Sequence, residues 1–468
     1  MIRKLLLVGM AVCLCGCMRQ GAYQRPVPPV PNAWPDSAAQ AGAPVAPEPA
    51  AMKWREFFTD RQLQSVIELA LANNRDLRMA TLNVEKVQAL YRIQRAQQLP
   101  NVGVSGSGDL YRLPEGLTIA GFAVPQAVTV QEYTINLGAA SWELDLFGRV
   151  RSLKSQALEQ YLATEQARSA AQIALVAAVA NSYLALAADR DNLRLAQATF
   201  DAQQASYELI LRTRDVGIAS DLDLRQAQSQ VEAARVDIAR YTGQVALDEN
   251  SLSLLVGSPV SASLLPSELG SDRALKDIAS GLPSEVLLRR PDILMAEHQL
   301  KAAYANIGVA RAAFFPQITL TAGAGLMSSD LSELFNLGSR TWNFAPQVVM
   351  PIFDAGTRKA NFKVAQVDRD VAIAEYEKAI QSAFREVSDS LSLRTRLMEQ
   401  QNAQQALVNT LEETYRLSEA RYKAGIDSYL SVLVAQRSLY GAQQALVSLR
   451  LARLGNLVTL YKVLGGGA

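Results

Sequence analysis

The chain has 468 residues and a formal net charge of +1, so its overall charge gives no electrostatic case for a nucleic-acid partner. All three cysteines lie within the first 17 residues, which excludes disulfides, sulfur-bound zinc and a thiol nucleophile from the rest of the chain. The single histidine, His298, lies in a helical run, and we expect a surface position rather than a catalytic or metal-binding role. No cofactor and no metal site are predicted.

A targeting segment opens the chain. Arg3 and Lys4 precede an apolar stretch, Leu5–Leu14, of the length expected for the hydrophobic region of a signal peptide. The next residues, Leu14–Cys17, read LCGC and resemble a bacterial lipobox. We therefore expect cleavage before Cys17, acylation of its thiol and firm attachment to a membrane. Met18, in place of an aspartate, favours the outer membrane. An ordinary signal peptide with incidental cysteines is the alternative.

The next segments are a strap and two helices. Residues from Gly21 to Ala51 are rich in Pro and Ala and predict an extended strap without a core of its own. Amphipathic patterns then predict helices at Leu63–Asn73 and Arg75–Gln98, the second of which ends before Pro100.

Four Gly- and Ala-rich segments are predicted as strands. Each has about the ten residues that a tilted strand needs to cross a membrane. They are Val102–Leu113 and Tyr133–Leu146 in the first half of the chain, and Gln317–Met327 and Trp342–Phe353 in the second. A soluble β-hairpin has the same pattern, so the strands alone leave membrane and soluble locations equally open.

Two very long helices are the strongest secondary-structure signal. Arg149–Val216 and Thr357–Ala424 contain neither Pro nor Gly. At 1.5 Å per residue each spans about 100 Å, more than an ordinary globular helix. Apolar residues at alternating spacings of three and four predict a seam against other helices. Turns at Gly217 and Gly425 then reverse the chain into return helices of roughly 40 residues.

The two halves of the chain are copies of one unit. Tyr207–Gln228 aligns with Tyr415–Gln436 without a gap, at an offset of 208 residues. Neither copy can bury its apolar face alone, so the copies must pack on each other or on neighbouring chains. Four strands cannot close a membrane barrel, and an open sheet would leave backbone groups unpaired in lipid. If the strands cross a membrane, the chain must oligomerise, and three copies give twelve strands.

Several motifs resemble those of TolC-type outer-membrane efflux channels, in the lipoprotein branch that works with resistance-nodulation-division pumps. The motifs are Leu282–Ile293 (LPSEVLLRRPDI), Ala305–Ala310, Phe314–Ile318, Trp142–Gly148 and both hairpin tips. The resemblance covers essentially the whole mature chain. It implies a mainly α fold with a small β part: a homotrimeric 12-stranded outer-membrane β-barrel, four strands per chain, that continues into a long periplasmic α-helical barrel with an equatorial belt.

Together with this resemblance, the sequence predicts ten segments in chain order. It comprises a signal peptide (1–16), a lipid-anchored strap (17–58), helices of the first repeat (59–99), a first membrane hairpin (100–147), a first long helical hairpin (148–257), an equatorial segment (258–290), a helix of the second repeat (291–315), a second membrane hairpin (316–353), a second long helical hairpin (354–464) and a C-terminal tail (465–468).

The function implied is the outer-membrane exit duct of a tripartite efflux system. Its implied partners are two further copies of the chain, outer-membrane lipids, a periplasmic adaptor and an inner-membrane pump of the resistance-nodulation-division type. A type I secretion outlet and a structural coiled-coil lipoprotein are the alternatives. An enzyme is not expected, because no catalytic triad order, phosphate-binding loop or metal cluster occurs.

The resemblance also implies a gate at the hairpin tips. Asp223 and Tyr422, with Asp427, would form a latch between the hairpins. Leu430 and Val434 lie one helical turn apart and would form an apolar constriction. Asp221 or Asp427 could instead supply an acidic ring, so both kinds of gate stay open. The expected adaptor-docking residues are Arg214, Gly217, Arg421, Lys423 and Gly425.

Overall fold

A computed structural model describes residues 23–31, 34, 52–119, 122–270, 275–276 and 284–466. Cys17 and the predicted signal peptide lie outside these residues. The chain divides into two compact units. Unit 1 comprises Met1–Pro26, Glu85–Thr164 and Ala296–Tyr376, and unit 2 comprises Val27–Val84, Glu165–Met295 and Glu377–Ala468. These units cut across the segments expected from the sequence, so those segment boundaries stay predictions.

Helices dominate the described chain. They are α1 (Trp54–Phe57), α2 (Arg61–Asn73), α3 (Arg75–Ala96), α4 (Arg149–Asp215), α5 (Asp221–Val256), α6 (Pro291–Ala312), α7 (Thr357–Lys423) and α8 (Tyr429–Val463). The two very long helices, α4 and α7, have 67 residues each. Both predictions of an unbroken long helix are therefore confirmed, to within one residue at the end.

Helix α4 contains the one 18-residue window, among the described helices, that is apolar enough to cross a membrane. Half of that window is buried inside the protein. Val176, Val179 and Ala180 lie in this stretch and are almost completely buried in unit 2. Packing against neighbouring helices therefore accounts for its hydropathy, as in the core helix of a folded domain.

Arg290 fixes the start of α6 in unit 2. The helix begins at Pro291, as predicted, because proline is favoured at a first helical position. The guanidinium of Arg290 is buried and donates hydrogen bonds to Asp292 (2.6 Å), to Glu386 (2.8 Å) and to the carbonyl oxygen of Val463 (2.7 Å). One side chain thus ties α6 to α7 and to the C-terminal end of α8.

His298 lies on α6 and is not at the surface, so the prediction for this residue was wrong. Only 17% of its side chain is exposed, and its Nδ1 is 2.7 Å from Oε2 of Glu159 on α4. The reason is that its imidazole reaches the Glu159 carboxylate of α4 within unit 1. Among the residues that the structure describes, no group of His, Cys, Asp and Glu is arranged to hold a metal ion.

Unit 1 contains a four-stranded antiparallel sheet. Its strands are β1 (Val102–Leu113), β4 (Val128–Glu143), β5 (Gln317–Ser328) and β6 (Arg340–Val349), in that order. Two very short strands, β2 (Thr118–Ile119) and β3 (Phe122–Ala123), extend the loop between β1 and β4. The four predicted strands are present. β4 begins five residues and β6 two residues earlier than expected, and these two strands end three and four residues earlier. β4 and β5, one from each repeat, pair at the centre of the sheet.

The two faces of this sheet differ in chemistry. Residues paired across the four strands form rows, and successive rows point to opposite faces. One row joins four apolar residues: Val104, Leu137, Ala324 and Trp342. The adjacent row joins four small or polar residues: Ser105, Asn136, Gly325 and Thr341. An apolar face backed by a polar face is the pattern of a membrane barrel, with lipid outside and water inside.

Glycine is required on the polar face where neighbouring strands approach closely. A Cβ added to Gly325 would lie 2.0 Å from the carbonyl oxygen of Ile135, and one added to Gly323 would lie 2.5 Å from the amide oxygen of Asn136. The Gly-rich composition of β5 therefore reflects tight packing of backbone and Asn side chains on one face of the sheet.

The two faces predict opposite responses to a charge. We expect Leu137→Arg to destabilise the protein by about 2–4 kcal/mol if the residue sits near the bilayer midplane, because the guanidinium would replace a lipid-facing leucine. Ser105→Arg, one row away on the polar face, is the matched control and should be tolerated. Refolding titrations in lipid–detergent mixtures measure the difference. Equal destabilisation by both changes would contradict the assignment of the faces.

Candidate functional site at the hairpin tips

Both helical hairpins turn through the same backbone motif. In the first, the N–H of Gly217 donates to the carbonyl oxygen of Arg214, and that of Ile218 to Thr213, each at 2.9 Å. In the second, the N–H of Gly425 donates to Tyr422 and that of Ile426 to Arg421, again at 2.9 Å. The glycines have φ angles of +81° and +71°. This pair of bonds around a left-handed glycine is the Schellman motif, which closes the last helical turn.

Each tip carries an ion pair between its own two helices. Arg214 at the end of α4 lies 3.0 Å from Asp221 at the start of α5. Arg421 at the end of α7 pairs in the same way with Asp427 before α8. Asp427 was predicted to link the two hairpins, and that link stays a prediction. The tight turn places Asp427 beside Arg421 of its own hairpin, and the hydrogen bond between them lowers the pKa of Asp427 and raises that of Arg421.

The pairs at the two tips come from positions that are not equivalent in the repeat. The offset of 208 places Arg214 on Tyr422 and Asp221 on Tyr429. Lys423 is held at 2.9 Å from Glu419, one turn earlier on α7. All three predicted docking cations are thus solvent-exposed and each has a carboxylate partner.

Asp223 and Tyr422 lie near each other but are not hydrogen-bonded in the described structure. The Asp223 carboxylate accepts hydrogen bonds from the N–H (3.1 Å) and hydroxyl (2.7 Å) of Ser220, completing a capping box at the start of α5. Tyr422 is half-buried with its ring 5.4 Å from that of Tyr429. Burial, and then the nearby charge of Asp223, raise the pKa of Tyr422. The expected latch therefore stays a prediction, and its direct bond is absent from this conformation.

An apolar cluster, rather than a polar latch, joins the hairpins at their tips. Its buried members are Ile210 of α4, Leu224 and Ala227 of α5, and Tyr429, Val432 and Leu433 of α8, with Tyr207, Leu211, Ala219, Tyr415 and Tyr422 packed against them. All four long helices contribute to it. Their tips are consequently held together by burial of apolar surface.

Leu430 and Val434 project from the other side of α8. Their exposed fractions are 54% and 57%, whereas the neighbouring Tyr429, Val432 and Leu433 are buried in the apolar cluster. The predicted constriction residues therefore share a face that does not pack within the chain. Asp221 is also exposed and pairs with Arg214, which it shares with Asp215 (3.3 Å).

Two polar links between the hairpins were missed by the sequence analysis. Tyr440 of α8 donates a hydrogen bond to Asp237 of α5 (2.9 Å), and Gln444 of α8 donates one to the hydroxyl of Tyr241 (3.1 Å). The available signal was a pair of polar side chains four residues apart on each return helix. That spacing identifies one polar face on each return helix, but it does not show that these two helices contact each other.

Residues 66–258 and 282–466 match the model of a protein family described as outer membrane efflux protein. The chain belongs to this family. It is 49% identical over 459 residues to the toluene efflux pump outer membrane protein TtgC of Pseudomonas putida, covering 98% of this chain and 94% of that protein. It is 41% identical over 459 residues to outer membrane protein OprJ of Pseudomonas aeruginosa, with the same coverage.

Solved structures show the same fold. A crystal structure of CusC is 40% identical, with a TM-score of 0.85 over 96% of this chain and 100% of that one. The open state of the MtrE outer membrane channel of Neisseria gonorrhoeae is 36% identical, with a TM-score of 0.85 over 96% and 98%. The predicted fold class, a mainly α protomer of a homotrimeric outer-membrane channel, is confirmed.

The predicted function, an outer-membrane exit duct of tripartite efflux, is confirmed as well. The chain is an outer-membrane channel that serves as the exit duct of tripartite efflux, a transport protein and not an enzyme.

The tip turn leads to a local stability prediction. Gly425→Ala should destabilise the turn by about 1–2 kcal/mol, because alanine is strained at positive φ, although there is open space around the added methyl group. Amide hydrogen exchange of Ile426, whose N–H bonds to Arg421, should accelerate roughly 5- to 30-fold. Gly425→Asn should have a smaller effect because asparagine tolerates this conformation. An unchanged exchange rate in the alanine variant would contradict the role of the turn.

Proposed function

We propose that this channel is closed at its periplasmic tips by the packing of its two helical hairpins, and that it passes small toxic compounds delivered by a periplasmic adaptor and a pump of the resistance-nodulation-division type. The observation that carries the proposal is the apolar cluster at the tips. It buries residues of α4, α5 and α8 together, so the hairpins cannot separate without exposing that surface to water.

The constriction is formed by Leu430 and Val434. They lie on a free face of α8 beside the tip, and three copies in a trimer give two stacked apolar rings. Water withdraws from a narrow apolar ring, which blocks ions without any fixed charge.

The adaptor docks on the tip turns. Val216 and Ile218 at the first tip, and Ile426 at the second, are large apolar side chains left exposed at the ends of the hairpins. They stand next to Arg214, Arg421 and Lys423. Apolar contacts surrounded by charged residues are typical of a protein-binding surface, and the glycine turns hold both tips in one shape.

The chain is anchored by lipid at Cys17, with the strap held on α6. Tyr23 donates a hydrogen bond to Glu297 (3.0 Å), and Arg25 donates two more (2.6 and 3.2 Å). Cys17 lies six residue steps before Tyr23, a reach of at most about 20 Å. The 15 residues from Glu297 to the end of α6 rise about 22 Å. The tether is therefore long enough to bring the acylated cysteine near the level where β5 begins.

The gate is tested by its ion selectivity. Val434→Asp places three carboxylates in the constriction and should turn a weakly selective pore into a cation-selective one, measured by reversal potentials in planar bilayers. Val434→Asn is the control, because asparagine has the size of aspartate but carries no charge. If the aspartate variant has the selectivity of the asparagine variant, Val434 does not face the pore. Strong cation selectivity of the unmodified channel would favour an acidic ring instead.

The strap is tested by pH. Burial alone would raise the pKa of Glu297, but hydrogen bonds from Arg25 and Lys301 outweigh burial and hold the pKa below its ordinary value of 4.5. Docking should therefore be complete above about pH 4.5 and be lost as the pH falls through the lowered pKa. A spin label at Gln24→Cys should become mobile over that range.

Glu297→Gln should release the labelled strap already at pH 7, because a neutral amide leaves Arg25 without its charged partner. Glu159→Gln, in the same unit but bonded to His298, is the control. A label that stays immobile in the Glu297→Gln variant would contradict strap docking at this carboxylate.

A further inference from the structure

A connected set of polar side chains joins the two hairpins well above the tips. Asp237 of α5 accepts the hydrogen bond of Tyr440 through Oδ2 and pairs with Arg240 through Oδ1 (2.9 Å). The guanidinium of Arg240 lies 4.6 Å from the centre of the Tyr241 ring, whose hydroxyl accepts from Gln444. We call Asp237, Tyr241, Tyr440 and Gln444 the upper link.

The upper link has a regular geometry. Asp237 and Tyr241 are four residues apart on α5, and Tyr440 and Gln444 are four residues apart on α8, so each pair spans one helical turn. Both helices run away from the tips, and both bonds join residues that differ by 203 in number. Two successive turns of parallel helices are thus linked in register. From the helix starts, Asp237 lies about 24 Å and Tyr440 about 16 Å above the tips.

The upper link joins the two hairpins through a charge-assisted hydrogen bond, whereas, among the described residues, the carboxylate of Asp223 near the apolar cluster does not bond to the other hairpin. Only 22% of the Asp237 side chain is exposed, and a hydrogen bond to a partly buried carboxylate is charge-assisted. Burial, together with the bond to Asp237, raises the pKa of Tyr440, so its hydroxyl stays protonated and donates. By contrast, the Asp223 carboxylate at the tip caps its own helix.

A glycine lies beside the upper link on each helix. Gly243 lies two residues after Tyr241 on α5, and Gly441 directly follows Tyr440 on α8, both inside helices. Apart from the adjacent residues and the helix's own backbone, no described atom lies within 4 Å of a Cβ added at either position, so packing against other helices does not require glycine there. Glycine weakens a helix interior by about 0.5–1 kcal/mol relative to alanine, which makes these turns the ones that bend most readily.

We infer that the upper link is a second latch of the gate, and that opening the channel requires breaking it while α5 and α8 bend at Gly243 and Gly441. This inference rests on the proposed tip gate and adds to it. The segment below the link carries both the apolar cluster and the constriction. Separation of the hairpins at the tips therefore pulls directly on the bonds between α5 and α8.

The test is a double-mutant cycle in planar bilayers on purified trimers. Tyr440→Phe removes the donating hydroxyl in all three protomers and should raise the ratio of open to closed time of the trimer about tenfold. Asp237→Ala should do the same. If the two residues act through their mutual bond, the double variant should open no more than about tenfold above the unmodified channel. Independent effects that multiply to about a hundredfold would overturn the inference.

Tyr161→Phe is the matched control, because the hydroxyl of Tyr161 also takes part in a hydrogen bond, with Gln88 (3.2 Å), but in unit 1. It should leave the open ratio unchanged. A second arm, Gly441→Ala, should slow opening and lower the open ratio by stiffening α8. Opening at an unchanged rate in this variant would overturn the hinge.

Failure of the inference is distinguishable from failure of the tip gate. If Val434→Asp alters selectivity while Tyr440→Phe leaves the open ratio unchanged, the gate stands and the upper link is not a latch. If Val434→Asp has no effect on selectivity, the tip gate itself is wrong, and the second latch is rejected with it.

Discussion

The structure depends on one constraint: every backbone N–H and C=O inside a bilayer needs a hydrogen-bond partner. The chain supplies four paired strands, and β1 and β6 at the two ends of that sheet each have one side unpaired. Those sides can be satisfied only by the β6 and β1 of neighbouring copies. Trimerisation is therefore a condition of membrane insertion. It also fixes the number of hairpins around the pore, since each chain brings two.

The proposed gate uses two kinds of interaction at different places along the hairpins. Apolar burial holds the tips together, and it resists separation without depending on exact alignment. Directional bonds at Asp237 and Tyr440 hold the register of α5 against α8. A partner that covers the exposed apolar residues at the tips could offset the loss of the first interaction. In our proposal, bending of α5 and α8 then breaks the second interaction.

Much of the fold could be predicted from the sequence because its signals are local and long. Absence of Pro and Gly marked α4 and α7 to within a residue, and glycine at positions 217 and 425 marked the turns. β4 begins at Val128 rather than Tyr133, although the alternation in VTVQEYTI was already visible. The capping box at Ser220 and Asp223 was readable as a motif, and it explains why Asp223 does not bond Tyr422 here.

Side-chain partners across helices could not be predicted in the same way. The pairing of Arg421 with Asp427 depends on the path of a tight turn, and the bond between Asp237 and Tyr440 depends on how two helices align. Neither follows from spacing along one helix. His298 shows the same limit, since a polar helix face can lie against a carboxylate of another helix as easily as against water.

The unequal ion pairs of the two tips have a consequence for assembly stoichiometry. The backbone turns repeat faithfully, but one tip is clamped from α4 to α5 by Arg214 and Asp221, and the other by Arg421 and Asp427 at positions shifted along the repeat. A trimer thus offers six similar shapes that carry two different charge arrangements, three of each. Identical ligand subunits arriving at this end face a threefold, not a sixfold, pattern. They must either occupy three places or bind in two distinct ways.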